Sequence, residues 1–199
     1  MNPIPEHAFA ELYLELSEHP LPVNKYRNTA GTGRSQTFGV VNRRCLPPDY
    51  SRQNWLRPYL FKLLKEFAER YVDISWNAIT VNQYYRASPH YDKNNVGESF
   101  LVAFGNYTGG ELEIHEGPSL GFKDIRHKPI KMDFSKVLHS VRDFEGERFS
   151  LVFYWYDLGD TVLPPCSVKK VGDKWRFFRG DEMILPSKGL PHPLRKRRS

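Results

Sequence analysis

An α+β, mainly β fold, with a barrel or jelly-roll core buttressed by N-terminal helices, is what this sequence predicts, on three observations. Apolar residues recur at helical spacing only in two segments before residue 72. From residue 78 the pattern changes to short apolar or alternating runs, the signature of strands. Gly-bearing turns separate those runs, and no internal repeat is present. The 199 residues are 40% hydrophobic and 14% aromatic, which fits one globular domain with a sizeable core and excludes a disordered chain.

Within residues 5–18, Phe9, Leu12, Tyr13 and Leu16 lie at helical spacing, and Pro20 ends the segment. Residues 29–44, TAGTGRSQTFGVVNRR, read as a Gly-rich turn and then a strand flanked by Arg34, Arg43 and Arg44. Asp49 or Ser51 can cap a long helix in which Leu56, Leu60, Leu64 and Phe67 share a face, with Trp55, Tyr59, Leu63 and Tyr71 beside them. Strands follow at 78–85 and 99–104. After the turn Tyr107-Thr108-Gly109-Gly110 comes the alternating run 111–115, then strands at 130–134, 136–140 and 150–156. The domain spans 1–157, with its core from about residue 30. Residues 158–199 form a Pro-rich C-terminal extension with one hairpin-like segment, VGDKWRFFRGDEMIL, and a basic tail.

A net charge of +6 and a pI near 9.3 are compatible with a polyanionic partner such as nucleic acid. Much of the excess sits in Arg195, Lys196, Arg197 and Arg198, which read as a solvated tail, a phosphate-tracking arm or a nuclear address. Two cysteines, Cys45 and Cys166, suit a reducing compartment and build no metal site. No apolar run approaches the roughly 18 residues of a membrane span, and MNPIPEHAFAEL lacks a basic-then-apolar leader. An intracellular monomer, cytoplasmic or nuclear, is expected.

One triplet carries chemistry. In His90-Tyr91-Asp92, residues i and i+2 of an extended segment project together, offering an imidazole nitrogen and a carboxylate oxygen while Tyr91 points away. A second His from a distant strand would complete a two-His-one-carboxylate face with open positions, the arrangement of non-haem Fe(II) oxygenases. Of the seven histidines, His139 in KVLHS is the best candidate. Nine residues further on stand Arg148-Phe149-Ser150, whose guanidinium and hydroxyl share a strand face and can hold a carboxylate. A dicarboxylate held by Arg148 at one end and by iron at the other would be 2-oxoglutarate. Each piece is weak alone, and Arg148 in EGER could be a plain surface ion pair; the ordered set is far more specific.

The order His90-x-Asp92, Gly109-Gly110-Glu111-Leu112, His139, Arg148-x-Ser150 resembles the Fe(II)/2-oxoglutarate dioxygenase superfamily. The strings VNQYYRASPHYDKNNVGESFLVAFGNYTGGEL and HKPIKMDFSKVLHSVRDFEGERFSLVFY resemble its TET/J-binding-protein branch and that branch's small viral and algal relatives. The resemblance covers about residues 30–157. It implies a double-stranded β-helix with iron on His90, Asp92 and His139, and 2-oxoglutarate on Arg148 and Ser150. It also implies dioxygen as co-substrate, ascorbate as an accessory reductant, and oxidation of the methyl group of a 5-methylpyrimidine (5-methylcytosine or thymine) in DNA. Asn82-x-Tyr84 is similar to an Asn-x-Tyr that touches the co-substrate in the AlkB branch, although its gap to the histidine is shorter. Asn82 can equally be a strand residue satisfied by its neighbours.

The loop Lys93-Asn94-Asn95-Val96-Gly97-Glu98 follows the metal pair directly and is expected to rim the pocket. Lys93, Asn94 and Asn95 are therefore candidate substrate contacts, unless the Asn residues serve only a turn. Arg126, with Arg34, Arg43 and Arg44, could contact phosphates. Two other readings stay open: the same chemistry on a protein side chain such as prolyl or on a small metabolite, and a non-catalytic jelly-roll binding module.

Overall fold

The computed structural model describes residues 1–23, 31–43, 46–116 and 119–186. A 3-10 turn, Glu6–Phe9, leads into α1, Ala10–Glu18, which buries Leu12 and Leu16 one turn apart. Strands β1, Gly31–Arg43, and β2, Leu46–Tyr50, follow. The long helix expected after residue 51 is two helices, α2, Gln53–Leu56, and α3, Pro58–Tyr71. Pro58 lacks the N–H a continuous helix needs and drives the preceding Arg57 out of the helical region, to φ −133° and ψ 60°. Ser51 serves the start of α2, its Oγ accepting the Gln53 N–H at 3.2 Å. Asp49 lies in β2 instead, ion-paired with Arg43 and Arg179 at 3.2 Å each.

The remaining core strands are β3, Ala78–Ala87; β4, Asn95–Phe104; β5, Tyr107–Gly109; β6, Leu112–Glu116; β7, Ser119–Lys123; β8, Ile130–Met132; β9, Leu138–Val141; β10, Phe144–Gly146; and β11, Phe149–Tyr156. A six-stranded sheet has the order β2-β1-β3-β11-β4-β8, and a three-stranded sheet the order β7-β6-β9. The pair β10-β5 stands between them in sequence. All these named-strand pairings are antiparallel. The result is the jelly-roll core with helical buttressing that the sequence predicts.

Strand alternation sorts the large sheet into two faces. Phe100, Val102 and Phe104 of β4 and Phe149, Leu151 and Phe153 of β11 pack with Leu60, Leu64 and Phe67 of α3 and with α1 in one core. Leu101 and Ala103 point the other way, to Leu112, Ile114 and Phe134 between the sheets. On β3, Ile79 and Val81 join the helix-side core while Thr80 and Asn82 face the cavity between the sheets. Gln83 is buried on the apolar side, and α1 and the segment after it satisfy it: Oε1 accepts the Leu21 N–H at 2.8 Å and Nε2 donates to Leu16 O at 3.2 Å.

A bulge then reverses this alternation. The β1–β3 register shifts between Thr32 and Arg34, where Gly33 (φ 120°) backs onto the Tyr84 carbonyl so closely that a Cβ would lie 2.2 Å from it. Tyr84 itself is left-handed at φ 51°. Beyond the bulge Tyr85 and Ala87 face the cavity, and Tyr84 is turned to the helix side.

The hairpin-like tail is a three-stranded meander, β12, Cys166–Val171, β13, Lys174–Arg179, and β14, Glu182–Ile184. It is joined to the helical layer through Phe177, 1% exposed, which packs on Tyr50, Trp55 and Phe61. Arg44, Cys45, His192 and the basic residues 195–198 lie outside the described residues. Among the described residues no helix is long and apolar enough to cross a membrane.

Candidate metal centre and carboxylate pocket

His90 and His139 meet where the two sheets converge. Each backbone N–H donates to the other's carbonyl, at 3.0 and 3.1 Å, in an isolated antiparallel bridge. Asp92 is anchored by its N–H to Phe134 O at 3.0 Å, and Asn95 N–H closes a turn on Asp92 O at 2.9 Å. The side chains of His90 and Asp92 both line the same cavity. One ligand atom from each of His90, Asp92 and His139 lies within 4.8 Å of the others.

Both imidazoles are oriented for ligation. His90 Nδ1 is 2.8 Å from Ser88 O and His139 Nδ1 is 3.0 Å from Val137 O, which makes Nδ1 the donor to a carbonyl in each ring and leaves Nε2 as the nitrogen for a metal. Asp92 Oδ1 lies 3.4 Å from His90 Nε2, while Oδ2 accepts from Asn95 Nδ2 at 3.3 Å. Asn95 also donates to Ser99 Oγ at 3.1 Å, so the carboxylate is tied to β4. The hydrogen bond to Asp92 raises the His90 pKa, and burial lowers that of His139. Two neutral nitrogens and one carboxylate oxygen on one side form a donor set suited to a divalent first-row metal such as iron(II).

From this cluster a cavity of about 720 Å³ runs between the sheets to Arg148, within the usual size of small-molecule sites. Arg148 is 1% exposed. Its guanidinium rests against the rings of Tyr107 and Phe144, at 5.5 and 5.6 Å from their centroids. Nε and Nη2 are buried and have no hydrogen-bond partner. Burial pushes the Arg148 pKa down, yet a guanidinium stays protonated, so a fixed cation with unspent donors lines the cavity. Such a group costs about 1–3 kcal/mol unless an anion meets it. Gly110 makes room for it: a Cβ there would lie 2.9 Å from Arg148 Cδ and Nε. Ser150 stands on the same strand face, and its Oγ accepts from Asn82 Nδ2 at 3.2 Å. The residues therefore fit both a metal and a dicarboxylate reaching from it.

The other candidates are placed as follows. Asn82 lines the cavity, but Tyr84 does not; the Gly33 bulge turns it to the helix side, where its Oη donates to Glu147 at 3.0 Å. The expected loop 93–98 is only a turn at Lys93 and Asn94, both exposed at the rim, because β4 begins at Asn95. Asn95 is engaged with Asp92 rather than presented to solvent. Arg126 lies off the cavity, donating to Tyr107 O at 2.6 Å and covering the Tyr107 ring at 4.9 Å. Arg34 is likewise occupied, by Leu21 O at 2.6 Å. Tyr91, expected to point away, lines the mouth and is 43% exposed, because residues 91 and 92 belong to no ladder that would enforce alternation.

Sequence reasoning missed a row of hydroxyls on the cavity floor. Thr37 Oγ1 and Thr80 Oγ1 lie 3.3 Å apart, and Thr80 Oγ1 lies 3.3 Å from Tyr154 Oη. Thr80 is two residues from Asn82 and Tyr154 four from Ser150, so period-2 alternation was the signal that could have found both.

No family model matches the sequence, and no curated protein sequence matches it. Solved structures do match the fold. A 2OG-Fe(II) oxygenase family oxidoreductase from Burkholderia pseudomallei is similar over 74% of this chain and 78% of its own, with 19% identity and a TM-score of 0.51. NgTET1 in complex with 5mC DNA is similar over 77% of this chain and 69% of its own, with 15% identity and a TM-score of 0.52. A Pseudomonas putida prolyl-4-hydroxylase aligns over 77% of this chain and 86% of its own, with 14% identity and a TM-score of 0.48. The fold of this chain is the one that the first two of these structures share.

Proposed function

We propose that this protein is an Fe(II)- and 2-oxoglutarate-dependent dioxygenase. The observation that carries the reading is a buried guanidinium with unpaired donors across one cavity from a two-His-one-carboxylate cluster. His90, Asp92 and His139 are the metal ligands, and Arg148 with Ser150 holds the distal carboxylate of 2-oxoglutarate. Iron bound there supplies oxidative decarboxylation of 2-oxoglutarate by dioxygen, coupled to hydroxylation of a substrate C–H bond.

The chain's own residues do the positioning. Ser88 and Val137 carbonyls aim the two imidazoles, and Asn95 holds one oxygen of Asp92 so that the other faces His90. Asn82 orients the Ser150 hydroxyl beside Arg148. Leu101, Ile125, Phe134 and Val152 supply apolar wall to the cavity that the ligands and the arginine share. A non-catalytic module would have no use for this convergence of a ligand set and an unspent cation.

The substrate we propose is the methyl group of a 5-methylpyrimidine, 5-methylcytosine or thymine, in DNA. Three things support it: the resemblance of residues 81–112 and 127–154 to the TET/J-binding-protein branch, the shared fold of a structure solved with 5mC DNA, and the net charge of +6. Lys93 and Asn94 at the rim are the described residues best placed to touch it. The test incubates the protein with Fe(II), 2-oxoglutarate, ascorbate and methylated or unmethylated DNA, reading succinate and oxidised bases by mass spectrometry. Oxidised base formed only from methylated DNA supports the reading. Succinate release without base oxidation transfers the same chemistry to a prolyl side chain or a metabolite. No succinate under any condition overturns the dioxygenase itself.

A further inference from the structure

The cation at the end of the cavity is held from the opposite face of the sheet, and we propose that Tyr13, Tyr84 and Glu147 are positioning residues for 2-oxoglutarate. The proposal rests on the reading of Arg148 as the partner of the distal carboxylate. Just before and at the start of β11, Arg148 and Ser150 line the cavity, while Phe149 joins the helix-side core and Glu147 reaches Tyr13 of α1. On the helix side both oxygens of the Glu147 carboxylate are taken by phenols. Tyr13 of α1 donates to Oε2, and Tyr84 of β3 donates to Oε1 at 3.0 Å.

The backbone around Arg148 is fastened at the same point. Glu147 N–H donates to Asn106 O at 2.7 Å, and Tyr84 N–H donates to Arg148 O at 2.9 Å. Phe149, on the other flank, meets the Tyr13 ring edge-on at 5.6 Å and the Tyr84 ring at 5.9 Å. Tyr84 reaches Glu147 only because the Gly33 bulge reverses its side; unbulged, it would share the cavity face with Asn82.

The Arg148 side chain meets the Tyr107 and Phe144 rings and Gly110, and its Nε and Nη2 make no hydrogen bond, so where the backbone carries them bears directly on their position. The reach of those donors is set by where the backbone of 147–149 is held. A forked contact with a carboxylate tolerates displacement of only about 0.5 Å, so loosening Glu147 is felt at the carboxylate. Both phenols stay protonated donors at neutral pH. The Glu147 hydrogen bond raises the Tyr13 pKa, and burial followed by Glu147 raises that of Tyr84.

The experiment titrates 2-oxoglutarate by calorimetry into protein loaded with Mn(II), which occupies the same ligand type without turnover. Mn(II) affinity is measured separately, and kcat and KM for 2-oxoglutarate are measured with Fe(II). The double variant Tyr13→Phe/Tyr84→Phe is expected to raise Kd and KM for 2-oxoglutarate about tenfold, with Mn(II) affinity and saturating kcat within about twofold. Glu147→Gln, which keeps the shape but can accept only one phenol, is expected to give a smaller rise in the same two constants. It is the second measurement should the double variant not fold. Wild-type 2-oxoglutarate affinity in these variants, alongside its loss in Arg148→Met, overturns the clamp and leaves the carboxylate reading standing. Wild-type affinity in Arg148→Met overturns the carboxylate reading and the clamp with it. A fall in kcat at unchanged Kd also overturns the clamp.

Discussion

The two faces of the six-stranded sheet are built from the same strands and do opposite work. Toward α1 and α3, β3 and β11 present Ile79, Val81, Phe149, Leu151 and Phe153, each essentially inaccessible to solvent. Toward the cavity the intervening positions are Thr80, Asn82, Ser150, Val152 and Tyr154. Burial of each large apolar side chain on the first face contributes about 1.5–3 kcal/mol to folding. On the second face, hydroxyls and an amide are placed at some cost in stability, because their hydrogen bonds barely compensate for lost water. The difference teaches where to cut: one residue along a strand separates a change in folding from a change in chemistry.

The largest break in that separation should come from the ligand set. His139→Ala should reduce turnover by more than about 100-fold, the upper range for losing even an orienting partner of a metal ligand. The fold should hold, because the His90–His139 backbone bonds do not use the imidazole. Single-turnover succinate release together with circular dichroism checks both halves; intact turnover in this variant would remove the metal assignment.

Next in size is a substitution on the other face. Phe153 is fully buried against Phe67, Trp76 and Phe100, with ring centroids 5.7–6.0 Å away. Phe153→Ala should cost about 3–5 kcal/mol of stability in denaturant unfolding. Below its transition the variant should keep the wild-type KM for 2-oxoglutarate. A large KM change there would show that the two faces are coupled more tightly than alternation implies.

How much of this was legible in the sequence follows the same logic. Period-2 alternation put Arg148 and Ser150 on one face, and the ordered spacing singled out His90, Asp92, His139, Arg148 and Ser150, which all line one cavity. Alternation failed where long-range backbone geometry intervened. Tyr84 reads as a cavity residue two along from Asn82, but the bulge opposite Gly33 reverses it, and GTG reads locally as a turn. Asn95 reads as an exposed loop amide because its bond to Asp92 depends on the tight turn at 93–94. Arg126 reads as a free cation because Tyr107, its partner, is brought to it by the β-bridge between Ala103 and Arg126. The split before Pro58 was readable, since proline breaks an i to i−4 ladder wherever it stands inside a helix.

A third test asks how the ligand set loads. The Asp92 hydrogen bond holds His90 above the ordinary imidazole value of 6.5, so below that raised pKa its Nε2 carries a proton that a metal must displace. Burial holds His139 below 6.5, so it is already neutral there. The sign is therefore that Mn(II) affinity falls as pH is lowered, beginning above pH 6.5 and by about tenfold per unit once His90 is protonated. Calorimetric titrations from about pH 8 to 6 measure it. A onset well below 6.5 would mean that Asp92 does not hold the His90 proton.

The smallest effect is the sharpest probe of the cavity face, because it leaves both metal and arginine in place. Ser150 sits one residue from Phe149 and one from Leu151, both core, yet its Oγ accepts from Asn82 and it lines the same cavity as Arg148. Ser150→Ala removes one neutral hydrogen bond, worth about 0.5–1.5 kcal/mol, so KM for 2-oxoglutarate should rise about two- to tenfold. Unfolding should shift by less than that, since the change removes one oxygen atom beside Asn82 rather than opening a large void. Ser150→Thr should restore KM if the hydroxyl is the active element and fail to if the loss is one of shape. A variant that lost stability in full while keeping KM would place Ser150 with its apolar neighbours and erase, at this position, the division between the two faces.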